Sequence, residues 1–190
     1  MTIAPSEPAK DGSGEMIVEG YAAVFGTRTL IDEDPDGSRY FEVIDSQAFT
    51  GADFSQTVFK YNHGDSGLVL ARTANSTLDL SIDERGLKIR AKIADTSLGR
   101  DLYTLIKRGD LNKMSFAFTV TEDSIEHNVL SREYLRIIKR FGTIYDVSVV
   151  DFPAYDDTSI EARASGIDCF ARFKQAELEK RRRLLLMSMC

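Results

Sequence analysis

The chain has 190 residues, of which 43% are hydrophobic and 28% are charged, and its formal net charge is -6. This length and composition are typical of one soluble globular domain that is large enough to bury a core. Apolar runs are short and no basic, apolar leader begins the chain, so we expect neither a membrane protein nor a secreted one, and the negative charge argues against nucleic acid as the primary partner.

The first part of the chain is predicted to be a tail followed by strands and a hairpin. Residues 1–15 are rich in proline, glycine and charged residues, which is typical of a mobile tail. We expect strands over residues 16–25 and 41–44. Between them, the acidic run 32–37 carries turn residues but lacks the distal glutamate of a calcium loop, so we interpret it as a solvated hairpin.

The next segment is predicted to be a brief helix and then a strand that ends in a histidine. Asp45 or Ser46 is expected to cap the helix, which ends at Phe49. From residue 57 onward, polar and apolar residues alternate up to His63, and Gly64 follows as a turn signal.

The middle of the chain is predicted to be a β-meander followed by a helix. Three segments alternate as strands, namely residues 68–71, 77–82 and 86–93, with a turn at 83–86. Thr96 is expected to cap a helix that ends at Arg108, because leucine and isoleucine recur there at helical spacing. Gly109 is expected to stop that helix in a left-handed conformation.

Residues 113–120 alternate with a period of two, which predicts a strand with one apolar face. That face carries Met114, Phe116, Phe118 and Val120. Ser115 is the first residue of the opposite face, whose side chains are small and mostly polar. A lone serine is usually an ordinary hydroxyl, so a functional role for Ser115 depends on the residues that accompany it.

An aspartate stands in a second strand signal, over residues 142–153. Asp146 lies in a β-branched run where aspartate is disfavoured, so its carboxylate requires a partner. A shorter strand is expected over residues 134–138. Before it, Glu126-His127-Asn128 is a polar stretch that we interpret as a loop or hairpin tip.

From residue 157 onward the pattern is typical of helix. The apolar side of this helix is supplied by Ile160, Ala164, Ile167, Phe170, Ala171 and Phe173. The basic run Lys180-Arg181-Arg182-Arg183 is interpreted as a solvated helix face. The alternative is an interaction tail, in which these basic residues and the apolar residues that follow dock on an acidic protein.

The cysteines do not indicate a metal or cofactor site. Cys169 and Cys190 form no disulfide framework, and with His63 and His127 they do not have the spacing of metal ligands. We therefore expect reduced thiols, no metal and no cofactor. Cys169 as a nucleophile is disfavoured because no histidine is near it in the sequence.

Serine, histidine and carboxylate together are the parts of a charge-assisted nucleophile. The imidazole takes the hydroxyl proton, and the acid fixes the imidazole tautomer and stabilises the imidazolium. Ser115, His63 and Asp146 are the candidates. The G-x-S-x-G elbow of α/β-hydrolases is absent around Ser115, so an esterase of that fold is disfavoured.

Six motifs in sequence order resemble the prohead (procapsid maturation) protease family of tailed bacteriophages. They are Glu19-Gly20-Tyr21-Ala22-Ala23-Val24-Phe25; Tyr61-Asn62-His63; Gly99-Arg100-Asp101-Leu102; Arg108-Gly109-Asp110-Leu111; Met114-Ser115-Phe116-Ala117-Phe118; and Asp146-Val147-Ser148-Val149-Val150 through Pro153-Ala154-Tyr155. The resemblance covers residues 20–158, and the family is distantly similar to the herpesvirus assembly proteases.

The resemblance implies a serine endopeptidase that cleaves scaffold or capsid protein in an assembling prohead in the host cytoplasm. Ser115 is then the nucleophile, His63 the general base and Asp146 the orienting acid. Self-cleavage and an oligomer within the prohead are compatible with this role. The alternative is an inactive structural or scaffold-like capsid component of the same fold, which would have no reason to keep serine, histidine and acid together.

The third catalytic position has a rival candidate. The herpesvirus relatives complete their triad with a second histidine, for which His127 is the available residue. Asp146 is preferred because it lies inside the family-like Asp-Val-Ser-Val-Val run.

For the fold we expect the α+β class, with a small, mainly antiparallel β-barrel or strongly curved sheet and helices packed outside. The predicted organisation is a flexible tail over residues 1–15, a protease domain over 16–158 and a helical C-terminal extension over 159–190.

Overall fold

The computed structural model describes residues 3–5, 14–64, 68–151, 169–180 and 182. These residues form two β-sheets and two α-helices, which confirms the α+β class. The strands are β1 Ile3–Pro5, β2 Ile17–Val24, β3 Thr29–Glu33, β4 Arg39–Ile44, β5 Val58–Tyr61, β6 Ala71–Arg72, β7 Leu78–Ile82, β8 Gly86–Lys92, β9 Lys113–Asn128 and β10 Glu133–Val150. The helices are α1 Ser97–Arg108 and α2 over residues 169–180.

The smaller sheet has the strand order β1-β2-β8-β7 and is antiparallel throughout. The predicted turn between β7 and β8 is present, and the Asp83 carboxylate accepts a hydrogen bond from the Arg85 amide at 2.8 Å. β1 lies within the predicted tail and pairs with β2 at the edge of the sheet. The rest of the predicted tail up to residue 13 lies outside the described residues.

The larger sheet is built around β10. Its order is β3-β4-β10-β5-β6, and β9 pairs antiparallel with the other edge of β10. β4 and β5 follow one another along the same edge of β10 and both run parallel to it. The predicted meander is therefore only half correct, because β6 joins β5 in this sheet whereas β7 and β8 join the other.

Neither sheet closes on itself in the described part of the chain, so the barrel form of the prediction is unconfirmed. The pairing of β9 with β10 is irregular instead. Its register shifts at several points between Ile138 and Asp146. Such irregularities leave residues unpaired and increase the local twist.

One core lies between the two sheets and is extended by α1. Phe116 of β9 and Phe141 of β10 meet Phe49 there, with ring centroids 4.6–6.2 Å apart. Leu102 and Ile106 are the buried side chains that α1 adds. Burial of these large apolar side chains is the main term that holds the two sheets together.

Helix α1 begins and ends where the sequence predicts. The Thr96 hydroxyl accepts a hydrogen bond from the Gly99 amide at 3.0 Å, which satisfies one of the free amides of the first turn. Gly109 has a φ of 85° and its amide donates back to the Ile106 carbonyl. The left-handed residue thus ends the helix without the cost that a side chain would add.

The brief helix predicted after Asp45 is wrong, and the segment consists of turns. The Asp45 carboxylate accepts a hydrogen bond from the Gln47 amide at 2.7 Å, and its carbonyl accepts one from Ala48. A side chain that bonds its own backbone two residues on competes with helix formation.

The acidic run over residues 32–37 is the hairpin turn that was predicted, with the Gly37 amide bonded to the Asp34 carbonyl.

Helix α2 packs on the distal end of the β9–β10 hairpin, within the predicted C-terminal extension. Phe170 is buried against Tyr40 and Tyr134, at centroid distances of 5.0 and 6.4 Å. The Lys174 ammonium lies 2.8 Å from the Asp34 carboxylate. This hydrogen bond, together with one from Tyr40, lowers the pKa of Asp34.

Among the described residues there is no helix whose length and apolarity would let it cross a membrane. The remaining residues of the predicted extension lie outside the described part of the chain.

Replacement of Gly99 by alanine is expected to destabilise the protein. In an open helix this change would stabilise by about 1 kcal/mol, because alanine is the better helix former. Here a Cβ atom on Gly99 would lie 2.1 Å from the Ala94 carbonyl oxygen. Since the obstacle is backbone, we expect Gly99→Ala to lower the free energy of unfolding by about 1–3 kcal/mol in a urea titration.

Thr104→Ala on the exposed side of the same helix is the matched control. It removes an exposed methyl group and a hydroxyl that bonds back to the Arg100 carbonyl, so we expect a change within about 0.5 kcal/mol. A stabilising Gly99→Ala would contradict the close approach of α1 to residue 94.

Candidate active site

Ser115 lies near the start of β9, on the face opposite the aromatic core. Met114 and Phe116 point into the core on either side of it, as the alternation predicts. Ser115 itself is only 1% exposed. The small polar face is therefore covered at Ser115, whereas Thr119 farther along the same face is exposed.

Two polar residues of β10 lie on the same face as Ser115. Ser148 is the direct pairing partner of Ser115, and Asp146 lies two residues before it. Residues that are directly opposed in an antiparallel pair have Cβ atoms about 5 Å apart. The pairing of β9 with β10 thus places the serine of one motif beside the acidic motif of the other.

His63 reaches this face from the end of β5. Its Nδ1 atom lies 2.6 Å from Oδ1 of Asp146, and its backbone amide donates to the Ser148 hydroxyl at 3.3 Å. The Ser148 hydroxyl in turn donates to the same Asp146 oxygen at 2.7 Å. With an ionised carboxylate, Nδ1 carries the proton and Nε2 is the acceptor nitrogen of the ring.

The turn that carries His63 has an uncommon backbone. Asn62 and His63 both have a φ of 51°, the left-handed region that few residues other than glycine adopt. Asparagine and histidine are among the residues that tolerate it best. The two successive left-handed residues turn the chain at the end of β5, where the His63 side chain contacts Asp146.

A clasp between Asp151 and the Tyr61-Asn62 pair holds this turn. The side-chain amide of Asn62 donates to the Asp151 carboxylate at 2.9 Å, and the Asp151 backbone amide donates to the side-chain oxygen of Asn62 at 3.0 Å. The Tyr61 hydroxyl donates to the same carboxylate at 2.7 Å. This last bond raises the pKa of Tyr61 above its ordinary value.

The structure brings His63 and Asp146 into direct contact and places Ser115 one strand away. Among the described residues, no hydrogen bond joins the Ser115 hydroxyl to the His63 ring. The link between them runs through Ser148, which is opposite Ser115 and bonded to His63. In ligand-free enzymes such contacts are often long and shorten only in the complex with substrate.

His127 lies at the other end of β9. It pairs with Tyr134 beside the hairpin tip, twelve residues beyond Ser115, which is roughly 40 Å of extended chain. Its ring stacks on Tyr134 at 4.0 Å, and its Nδ1 lies 3.2 Å from the Glu177 carboxylate of α2. Its contacts are therefore with the helix that packs on the distal hairpin.

Cys169 lies in the environment of an unreactive thiol. Burial raises its pKa, and its sulfur lies 3.5 Å from the Asp123 carboxylate. A raised pKa disfavours the thiolate, which is the nucleophilic form. The described residues contain no group of three or more potential metal ligands.

The sequence places Ser148 on the same strand face as Asp146, as a possible partner of its carboxylate, but it did not indicate the supporting roles of Asn62 and Asp151 or the bond from the His63 amide to Ser148. Asn62 stands inside the Tyr-Asn-His motif, Ser148 stands inside the Asp-Val-Ser-Val-Val run, and Asp151 directly follows that run. The motifs therefore contained the signal. Their contacts join residues 85–89 positions apart, which no local pattern reveals.

A comparison with known protein families supports the motif analysis. A family model described as caudovirus prohead serine protease matches residues 5–173 of the chain. No curated protein and no solved structure shows significant similarity to it.

The clasp predicts a selective change in tyrosine titration. Asp151→Asn is expected to move the pKa of Tyr61 back toward its ordinary value near 10, because the carboxylate acceptor that favours the neutral phenol is removed. Tyrosine ring carbon shifts, followed by NMR against pH, would measure this. The pKa of Tyr21, which a hydrogen bond to Asp83 raises, should stay unchanged.

Asp83→Asn is the reciprocal control and should move the pKa of Tyr21 alone. An Asp151→Asn chain in which Tyr61 titrates as in the wild type would show that the clasp is not formed in solution.

Proposed function

Because the chain belongs to the caudovirus prohead serine protease family, we propose that it is a serine endopeptidase that cleaves scaffold or capsid protein during maturation of a tailed-phage procapsid. The observation that carries this proposal is the 2.6 Å contact between His63 and Asp146 on the strand face that also bears Ser115. A histidine oriented by a carboxylate beside a strand-borne serine is the arrangement that nucleophilic acyl transfer requires.

In the proposed reaction the Ser115 oxygen attacks the peptide carbonyl while Nε2 of His63 takes the hydroxyl proton. His63 then gives that proton to the leaving amine, and the C–N bond breaks to leave an acyl-enzyme. Water repeats the sequence: His63 accepts its proton, the oxygen attacks the ester, and the proton returns to Ser115. Asp146 holds Nδ1 throughout, so Nε2 faces the reacting atoms.

Asp146 is supported as the third member over His127 by its contacts. Asp146 touches His63, whereas His127 stacks on Tyr134 and contacts Glu177. A group that orients the base has to lie within hydrogen-bond reach of it.

The substrates and partners that follow from this proposal are the capsid protein and its scaffold, met inside the assembling prohead in the host cytoplasm. Ser115 is 1% exposed, so its hydroxyl has to become accessible before a peptide carbonyl or a small reagent reaches it.

Ser115→Ala is expected to abolish processing while the chain remains folded. Loss of one side-chain oxygen next to a small polar neighbour costs little stability, but it removes the atom that forms the acyl bond. The measurement is co-expression with the neighbouring capsid and scaffold proteins, followed by gel electrophoresis and mass spectrometry of the products.

Ser81→Ala, at an exposed serine of β7, is the control and should process normally. Normal processing by Ser115→Ala would end the serine-protease proposal and favour the inactive structural component with the same fold.

Asp146→Asn and His127→Ala separate the two candidates for the third position. We expect Asp146→Asn to lower turnover by roughly 10⁴, because an amide in place of the carboxylate favours the wrong tautomer of His63. His127→Ala should retain turnover, since this residue contacts the distal helix instead of the site. The rate of product formation in the co-expression assay, or with a purified fragment of the scaffold, measures both.

The opposite pattern would assign a Ser-His-His arrangement like that of the herpesvirus relatives. That pattern is a nearly active Asp146→Asn beside an inactive His127→Ala.

A further inference from the structure

Ser148 occupies a central position in the candidate site although it is neither nucleophile, base nor acid. It is fully buried, and its hydroxyl is both a donor and an acceptor. It donates to Oδ1 of Asp146 at 2.7 Å and accepts from the backbone amide of His63 at 3.3 Å. A hydroxyl has the capacity for both bonds at once.

These bonds close a ring of three residues. His63 is joined to Asp146 through its side chain and to Ser148 through its backbone, while Ser148 is joined to Asp146. His63 is thus held at two atoms, its ring nitrogen and its backbone amide, by two side chains of β10. Without the second bond, the backbone of His63 would be less restrained and its movement would carry the imidazole with it.

The backbone conformation of His63 makes the bond from its amide to Ser148 important. With a φ of 51°, this residue is in a conformation that costs energy for any side chain and persists only where the surroundings hold it. The bond from its amide to Ser148 is one such restraint, and the Asn62–Asp151 clasp on the preceding residue is another.

We propose that Ser148 is a positioning residue that fixes the orientation of the His63–Asp146 pair toward Ser115, a role that rests on the proposed serine-protease function. It couples the backbone of the histidine turn to the carboxylate. Its place directly opposite Ser115 keeps the bonded pair in register with the nucleophile. Loss of this hydroxyl leaves the three reacting groups present but loosens their alignment, and a 1 Å displacement can cost about 10²-fold in rate.

The competing explanation is that Ser148 only satisfies a buried carboxylate and so contributes stability alone. Thr57 provides a matched control for that role. It is also fully buried, and its hydroxyl donates to the Ile144 carbonyl at 2.7 Å. Thr57→Val therefore removes a buried hydroxyl directly before β5 whose bond to Ile144 does not involve His63, Asp146 or Ser115.

The test uses the full chain and diisopropyl fluorophosphate, a small probe that phosphorylates an activated serine. The serine oxygen bonds to phosphorus, fluoride leaves, and the base takes the hydroxyl proton. We expect Ser148→Ala to lower the maximal labelling rate of Ser115 by roughly 10- to 100-fold without a change in the half-saturating probe concentration. Thr57→Val should label at the wild-type rate even where urea titration shows an equal loss of stability.

Two further measurements make the interpretation specific. The Nδ1 proton of His63 should give a downfield NMR resonance that shifts or broadens in Ser148→Ala but not in Thr57→Val. The chain has two histidines, so His127→Ala identifies the resonance. Ser148→Thr, which restores the hydroxyl, should recover the labelling rate, and Ser148→Cys, which keeps a weak donor of similar shape, should be intermediate.

Wild-type labelling and an unchanged Nδ1 resonance in Ser148→Ala would overturn the positioning role, as would an equal loss of labelling in Thr57→Val. Failure of the wild-type chain to label at Ser115 would count against the proposed function instead. In that case an unchanged Nδ1 resonance in Ser148→Ala would still show that Ser148 does not help to hold His63 against Asp146.

Discussion

The fold depends on the pairing of one long strand, β10, along both of its edges. β9 pairs with one edge, and β4 and then β5 pair with the other. An interior strand is restrained on both sides, so a shift of its register would move every partner at once. This constraint places Ser115 on one side of the Asp146–Ser148 segment and the His63 turn on the other, and it sets the geometry of the candidate site.

The candidate site has a cost in stability that its own hydrogen bonds offset. An aspartate on a covered strand face is expensive unless its charge is matched by donors. Oδ1 of Asp146 receives two, from His63 and from Ser148. The same bonds that stabilise the buried carboxylate also orient the imidazole, so stability and alignment of the site are linked. The left-handed turn at Asn62 and His63 is tolerated for the same reason.

The two ends of the β9–β10 hairpin have different chemistry. The end near Ser115 carries the serine, histidine and acid, whereas the distal end carries an aromatic cluster to which α2 is docked by Phe170 and Lys174. His127 belongs to this second cluster through its stack on Tyr134. One continuous pair of strands therefore connects the candidate site to the surface that holds the C-terminal helix.

The α+β class, the ends of α1 and the face on which Ser115 lies were predictable from the sequence, because capping and a period of two are local signals. The sequence did not reveal that the strands predicted over residues 134–138 and 142–153 are one strand, because irregular pairing with β9 carries β10 through the residues between them. Nor did it reveal that β4 and β5 each pair in parallel with β10, or that Ser148 and Asp151 bond to the histidine turn. Those contacts join residues 85 or more positions apart, and only the registers of the folded sheet bring them within bonding distance.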